Sequence, residues 1–106
     1  SSYPYTMTPP DTAGELRPVH HLKVWPEFFE ALITRQKQFE IRKDDRGYMV
    51  GDSLVLSEFF PCRGLIKEEV YSGRSVTAWV TYIVRGGRFG LAPDYVVMGL
   101  GDMRGP

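Results

Sequence analysis

The sequence predicts an α+β fold, in which one early amphipathic helix covers an open end or face of a curled sheet or small β-barrel. Three observations lead there. The segment PEFFEALITRQ carries helical spacing, while the rest of the chain is made of short runs bounded by Gly, Pro and Asp. A single helix is too few for the repeated crossovers of a doubly wound fold. Closing the sheet would also protect its many short strand edges.

Residues 1–18, SSYPYTMTPPDTAGELRP, hold four prolines and no sustained period, which reads as a flexible N-terminal extension before one domain over residues 19–106. His20 to Val24 reads as a short strand. Trp25-Pro26 then turns the chain into a helix of about ten residues, where a proline in the first turn sacrifices no hydrogen bond. Phe28, Phe29, Leu32 and Ile33 make its apolar face, with Glu27 and Glu30 at the positive end and Arg35 and Lys37 toward the negative one. In QFEIR, Phe39 and Ile41 face one way and Gln38, Glu40 and Arg42 the other, giving a strand with a charged side. DDRG closes it as a turn, and Val50-Gly51-Asp52 makes a second. SLVLSEFF follows as a strand that Pro61 ends. Cys62 to Arg74 reads as an irregular or edge-strand excursion. SVTAWVTYIV is apolar on both sides, which suits a central strand, and YVVMGL supplies the last one.

Hydrophobic residues make up 42% and charged residues 25% of 106 positions, enough for one core and too little chain for two. Lys plus Arg number 13, and so do Asp plus Glu. The net field therefore gives no pull toward a polyanion, and any nucleic-acid contact must come from a local patch. The single Cys62 excludes an internal disulfide and a zinc knuckle, and reads as a partly packed loop residue. His20 and His21, being adjacent, face opposite ways on a strand and make a poor metal pair, although one of them suits the floor of a cleft. No metal and no cofactor is expected. With no run of about 18 apolar residues and no secretory signal at the start, a cytoplasmic protein without a membrane partner is expected.

Candidate chemistry gathers on the charged strand. Lys37, just before it, offers a point charge for a phosphate or a base carbonyl. Glu40 and Arg42 share one face, so acceptors stand beside a fixed fork of donors. That set suits the Watson–Crick edge of an unstacked base, and equally suits pairing with a neighbouring strand. Asp44 and Asp45 read as turn acceptors, with Lys43 and Arg46 as secondary contacts. The loop Arg85-Gly86-Gly87-Arg88-Phe89-Gly90 combines glycines with two guanidiniums but lacks the Gly-Lys-Ser/Thr ending of a P-loop. A rim contact to nucleic acid through Arg85 and Arg88 is expected, with Phe89 either stacking a base or plugging the barrel. Trp79 is expected in the core; Trp25 suits either core or cleft.

Several ordered blocks resemble a known family. They are His20-x-Leu22-Lys23, Trp25-Pro26-Glu27-Phe28-Phe29, Lys37-x-Phe39-Glu40-Ile41-Arg42-Lys43-x-Asp45-Arg46 and Val50-Gly51-Asp52, then Gly87-x-Phe89-Gly90 and Tyr95-Val96-Val97-Met98. Together they resemble a small bacterial and phage family among the ASCH domains of the PUA-like superfamily. The resemblance implies a PUA-like small β-barrel with an accessory helix, a cleft under that helix, and RNA or a modified nucleoside as ligand. It places the family signature on Lys37, Glu40 and Arg42. Some related domains look like amidohydrolases acting on N4-acylated cytidine. Their middle signature position looks to be Thr, so Glu40 departs from that pattern, and Lys37 with Glu40 would have to work through a carboxylate-activated water. Three functions stay open: an RNA-binding module, an amidohydrolase, and a protein-interaction module docking through the charged strand.

Overall fold

Alternate residues of three strands point the same way and build most of the core: Leu54 and Leu56, Val76 and Val80, Val96 and Met98 are all buried. A computed structural model describes residues 5–7, 16–62, 65 and 68–106. Its elements are β1 (Tyr5–Met7), β2 (Leu16–Val24), α1 (Pro26–Ile33), β3 (Phe39–Lys43), β4 (Ser53–Phe60), β5 (Val70–Arg85) and β6 (Tyr95–Arg104). The strand order is β1-β2-β4-β5-β6-β3. β2 and β4 run parallel, and the other neighbours are antiparallel. β5, read as central, does lie between β4 and β6, and it starts at Val70, inside the stretch read as irregular. Residues 5–7 pair with 16–18, within the segment read as an extension, and the rest of that segment falls outside the described residues.

The sheet is open, which corrects the expected β-barrel. Among the described residues no ladder joins β3 back to β2. Side chains span that gap in place of backbone: Arg42 Nη2 donates to the carbonyl of Lys23 at 2.6 Å, and Arg46 Nη1 donates to that of His21 at 3.0 Å. A guanidinium between two strands holds them farther apart than the roughly 4.8 Å of a hydrogen-bonded ladder. Closure would displace both arginines.

α1 begins where Trp25 and Pro26 fix it. The N–H groups of Phe28 and Phe29 return to the Trp25 carbonyl at 3.1 and 2.9 Å, and Pro26 occupies the first turn. Phe29 and Leu32 bury completely on the sheet, whereas Phe28, assigned to the same apolar face, stays half exposed. The helix ends at Ile33, shorter than expected. Thr34 Oγ1 donates back to the Glu30 carbonyl at 2.9 Å. Arg35 then takes the left-handed conformation, φ 64°, and the Lys37 N–H returns to the Ala31 carbonyl at 2.9 Å. The Arg35 guanidinium, donating to the Met103 carbonyl at 2.5 Å, ties this turn to β6. The turn sets Lys37 at the head of β3.

Trp79, expected in the core, is only partly buried, opposite Gly101 of β6. Gly86 is required where β5 turns into β6, because a Cβ there would lie 1.8 Å from the Ala92 carbonyl oxygen.

Candidate functional site

β3 keeps the predicted alternation and buries its charged side. Glu40 is 3% exposed, while Phe39 and Ile41 are 41% and 50% exposed. A carboxylate this deep needs partners, and the adjacent sequence supplies them. Lys37 donates from Nζ to Glu40 Oε2, and Arg42 donates from Nε to Glu40 Oε1 at 2.9 Å. Each cation is also fixed to backbone, Lys37 Nζ to the Phe39 carbonyl at 2.7 Å and Arg42 Nη2 to that of Lys23. The side chains of Lys37 and Arg42 remain 17% and 25% exposed. The buried acid thus holds two cations whose outer surfaces stay accessible.

Above this cluster lies a cleft of about 750 Å³ between the start of α1 and β3, within the roughly 300–1,000 Å³ of small-molecule sites. Its walls are aromatic: Trp25, Phe28, Phe39 and Tyr95 all line it. All four are exposed, and rings gathered around one concavity offer apolar surface to a ligand. The Trp25 and Phe28 rings are 20° from parallel with centroids 6.2 Å apart. Lys37 Nζ stands 5.1 Å from the centre of the Phe39 ring. A smaller cavity of about 220 Å³ adjoins the cleft and shares Lys23 and Arg42 with it.

Of the predicted site residues, Lys37, Glu40 and Arg42 come together in the cleft, and Arg46 lines the smaller cavity. The remaining three line neither. Lys43 is largely exposed, 3.9 Å from Asp94 Oδ2. Arg85 donates to Asp44 Oδ2 at 3.1 Å and to the Tyr48 carbonyl at 3.3 Å, so it clamps the turn after β3. Arg88 lies over the exposed ring of Phe89 at 5.8 Å. Asp44 is the turn acceptor that was expected, taking the Tyr48 N–H at 3.1 Å. His20 lies elsewhere than the cleft floor. It pairs with buried Asp52 at 2.8 Å and meets Tyr48 edge-on, and burial pushes the Tyr48 hydroxyl above its ordinary range.

Sequence reasoning missed Phe28, Phe39, Ile41 and Tyr95 as cleft residues. A signal existed for two of them: Phe39 and Ile41 alternate with an acid that carries its own two bases, so the charged side of β3 was able to go inside. Among the described residues no three His, Cys, Asp or Glu side chains gather as a metal-ligand set. No helix among them is long and apolar enough to cross a membrane.

The molecule is thus an open α+β sheet with an aromatic cleft over a buried Lys–Glu–Arg cluster. Residues 19–100 match the family described as a domain of unknown function, DUF3850, and the chain belongs to that family. It is similar to an uncharacterised 12.9 kDa protein in the GpA 3' region of Escherichia phage P2, with 33% identity over 63 residues. That match covers 59% of this chain and 51% of the relative, so it spans about half the relative's length. The open sheet conflicts with the ASCH, PUA-like and barrel descriptions that the motif resemblance had suggested, and DUF3850 is the family that the chain's sequence shows.

Proposed function

We propose that this domain binds single-stranded RNA by taking an unstacked or modified base into the aromatic cleft. The observation that carries the reading is buried Glu40, holding Lys37 and Arg42 at the floor of a cleft with exposed aromatic walls. Ring walls suit the π-face of any base, and ammonium and guanidinium N–H groups suit base carbonyls. In this arrangement Lys37 and Arg42 touch the base edge, and Glu40 is a positioning residue. Both Glu40 oxygens already accept hydrogen bonds from these cations, which favours recognition over a water-activating acid–base pair and so over amidohydrolase chemistry. Such a module would meet its RNA in the cytoplasm.

The test is a fluorescence-anisotropy titration of a labelled single-stranded RNA pool at low and near-physiological salt. Saturable binding that persists at the higher salt is expected, because base contacts survive where counterion release fades. Arg42→Ala should weaken it about tenfold or more, and Arg88→Ala much less. Flat curves at both salts, or wild-type binding by Arg42→Ala, would contradict the reading.

A further inference from the structure

We propose that the smaller cavity is a phosphate site, so that the ligand is a nucleotide unit held through base and phosphate together. The base half of this statement rests on the reading of the cleft given above; the phosphate half stands on the second cavity. His21, Lys23, Arg42 and Arg46 line that cavity with the hydroxyl-bearing Ser57 and Tyr71. Among the described residues no carboxylate lines it, in a chain whose acids and bases balance at 13 each. At about 220 Å³ it is far smaller than the cleft. With water occupying roughly 30 Å³ per molecule, it has room for a phosphate group and a few waters.

The two arginines are tethered before any ligand arrives. Arg46 spends one N–H on the His21 carbonyl at 3.0 Å, and its nearest acid, Asp45, stands 3.9 Å from Nε. A guanidinium has five N–H donors in a planar fork that matches two oxygens of a phosphate. Arg42 is held by Glu40 and by the Lys23 carbonyl. Lys23 Nζ pairs with Glu69 at 2.7 Å, and both side chains are about half exposed. A solvated pair of this kind is easily exchanged, so an incoming phosphate can displace Glu69. Because Lys23 and Arg42 border both cavities, a base in the cleft leaves its own phosphate next to Arg46. Free phosphate or a phosphate on another carrier offers the same chemistry, and the experiment separates these sources.

The experiment uses the full chain in calorimetric titrations with each ribonucleoside and with its 5′- and 3′-monophosphates. In parallel, inorganic phosphate is added while the backbone amide resonances are followed by NMR. At least one monophosphate should bind about tenfold or more tightly than its nucleoside, the scale of one or two charge-assisted hydrogen bonds. Arg46→Gln should remove that advantage and leave nucleoside affinity in place. Ser57→Glu tests the same point without touching the arginines, by setting a carboxylate inside the cavity. Inorganic phosphate should shift the resonances of His21, Arg46 and Ser57 in wild type and in Trp25→Ala alike. Equal affinity for nucleoside and monophosphate, an advantage that survives both variants, or unmoved resonances would overturn the phosphate site. Phosphate-induced shifts with no nucleoside binding and a silent Trp25→Ala would keep the phosphate site and overturn the base reading.

Discussion

Glu40 on β3 and Glu58 on β4 are buried to almost the same degree, 3% and 4% exposed, and arginine holds both. Their surroundings differ. Arg74 reaches Glu58 with two hydrogen bonds, Nε to Oε1 at 3.0 Å and Nη2 to Oε2 at 3.1 Å. The same guanidinium donates to Glu30 of α1 at 2.9 Å and lies 5.0 Å from the centre of the Phe29 ring. This is a strut that ties helix to sheet, and neither Glu58 nor Arg74 borders the two cavities. The partners of Glu40 turn their accessible surfaces to an aromatic cleft instead. A buried acid–base cluster therefore identifies nothing by its own composition; what lies on its open side separates a strut from a binding floor.

Four substitutions test that contrast. Phe29→Ala removes the ring beneath Arg74 and should destabilise the fold by about 3–5 kcal/mol in urea unfolding. Trp25→Ala, at a half-exposed wall of the cleft, should cost roughly 1–3 kcal/mol of RNA affinity, the measured scale of one base–aromatic stack. Its urea midpoint should stay near wild type; a loss as large as that of Phe29→Ala would move Trp25 into the core and dissolve the contrast. Glu40→Gln should lower stability by about 1–2 kcal/mol, because one of the two accepting oxygens becomes an NH2 that cannot accept from Lys37 or Arg42. It should also weaken RNA binding by loosening Lys37 and Arg42, whereas Glu58→Gln should leave RNA affinity unchanged.

The smallest effect is a pH dependence. The Arg74 guanidinium, helped by Ser72, holds the Glu58 carboxyl below its ordinary value of 4.5. A depressed folded pKa means this group's stabilisation is fully present above that ordinary value and is lost as pH falls through the lowered one. The urea midpoint should fall on acidification through that window, and Glu58→Gln should make the fall shallower. An identical acid limb in both proteins would remove Glu58 from the strut.

Local features were legible in the sequence: the helix at Pro26, the alternation in QFEIR, the breaks at Gly51 and Pro61, and the union of Lys37, Glu40 and Arg42. Each depends on residues a few positions apart. Whether the sheet closes depends on how β2 and β3 meet across the fold, and no periodicity encodes the arginines that bridge them. Which side of β3 goes inside was only half legible: an acid flanked by two bases allows the charged side to be buried, but alternation gives two faces and tertiary packing chooses between them. Arg85 and Arg88 followed the opposite course: a glycine-flanked basic loop suggested a ligand, yet Arg85 is spent on Asp44 and Tyr48. Local charge showed where cations are and said nothing of which ones the fold consumes.

A base stacked in the cleft would lie against Trp25, which can report it. The chain has two tryptophans, so Trp79→Phe leaves Trp25 as the sole indole. Its emission should be quenched saturably by single-stranded RNA, with the same midpoint as the anisotropy titration, and Arg42→Ala should shift both curves together. Unchanged Trp25 emission while anisotropy reports bound RNA would place the RNA elsewhere on the surface and contradict the cleft as the binding site.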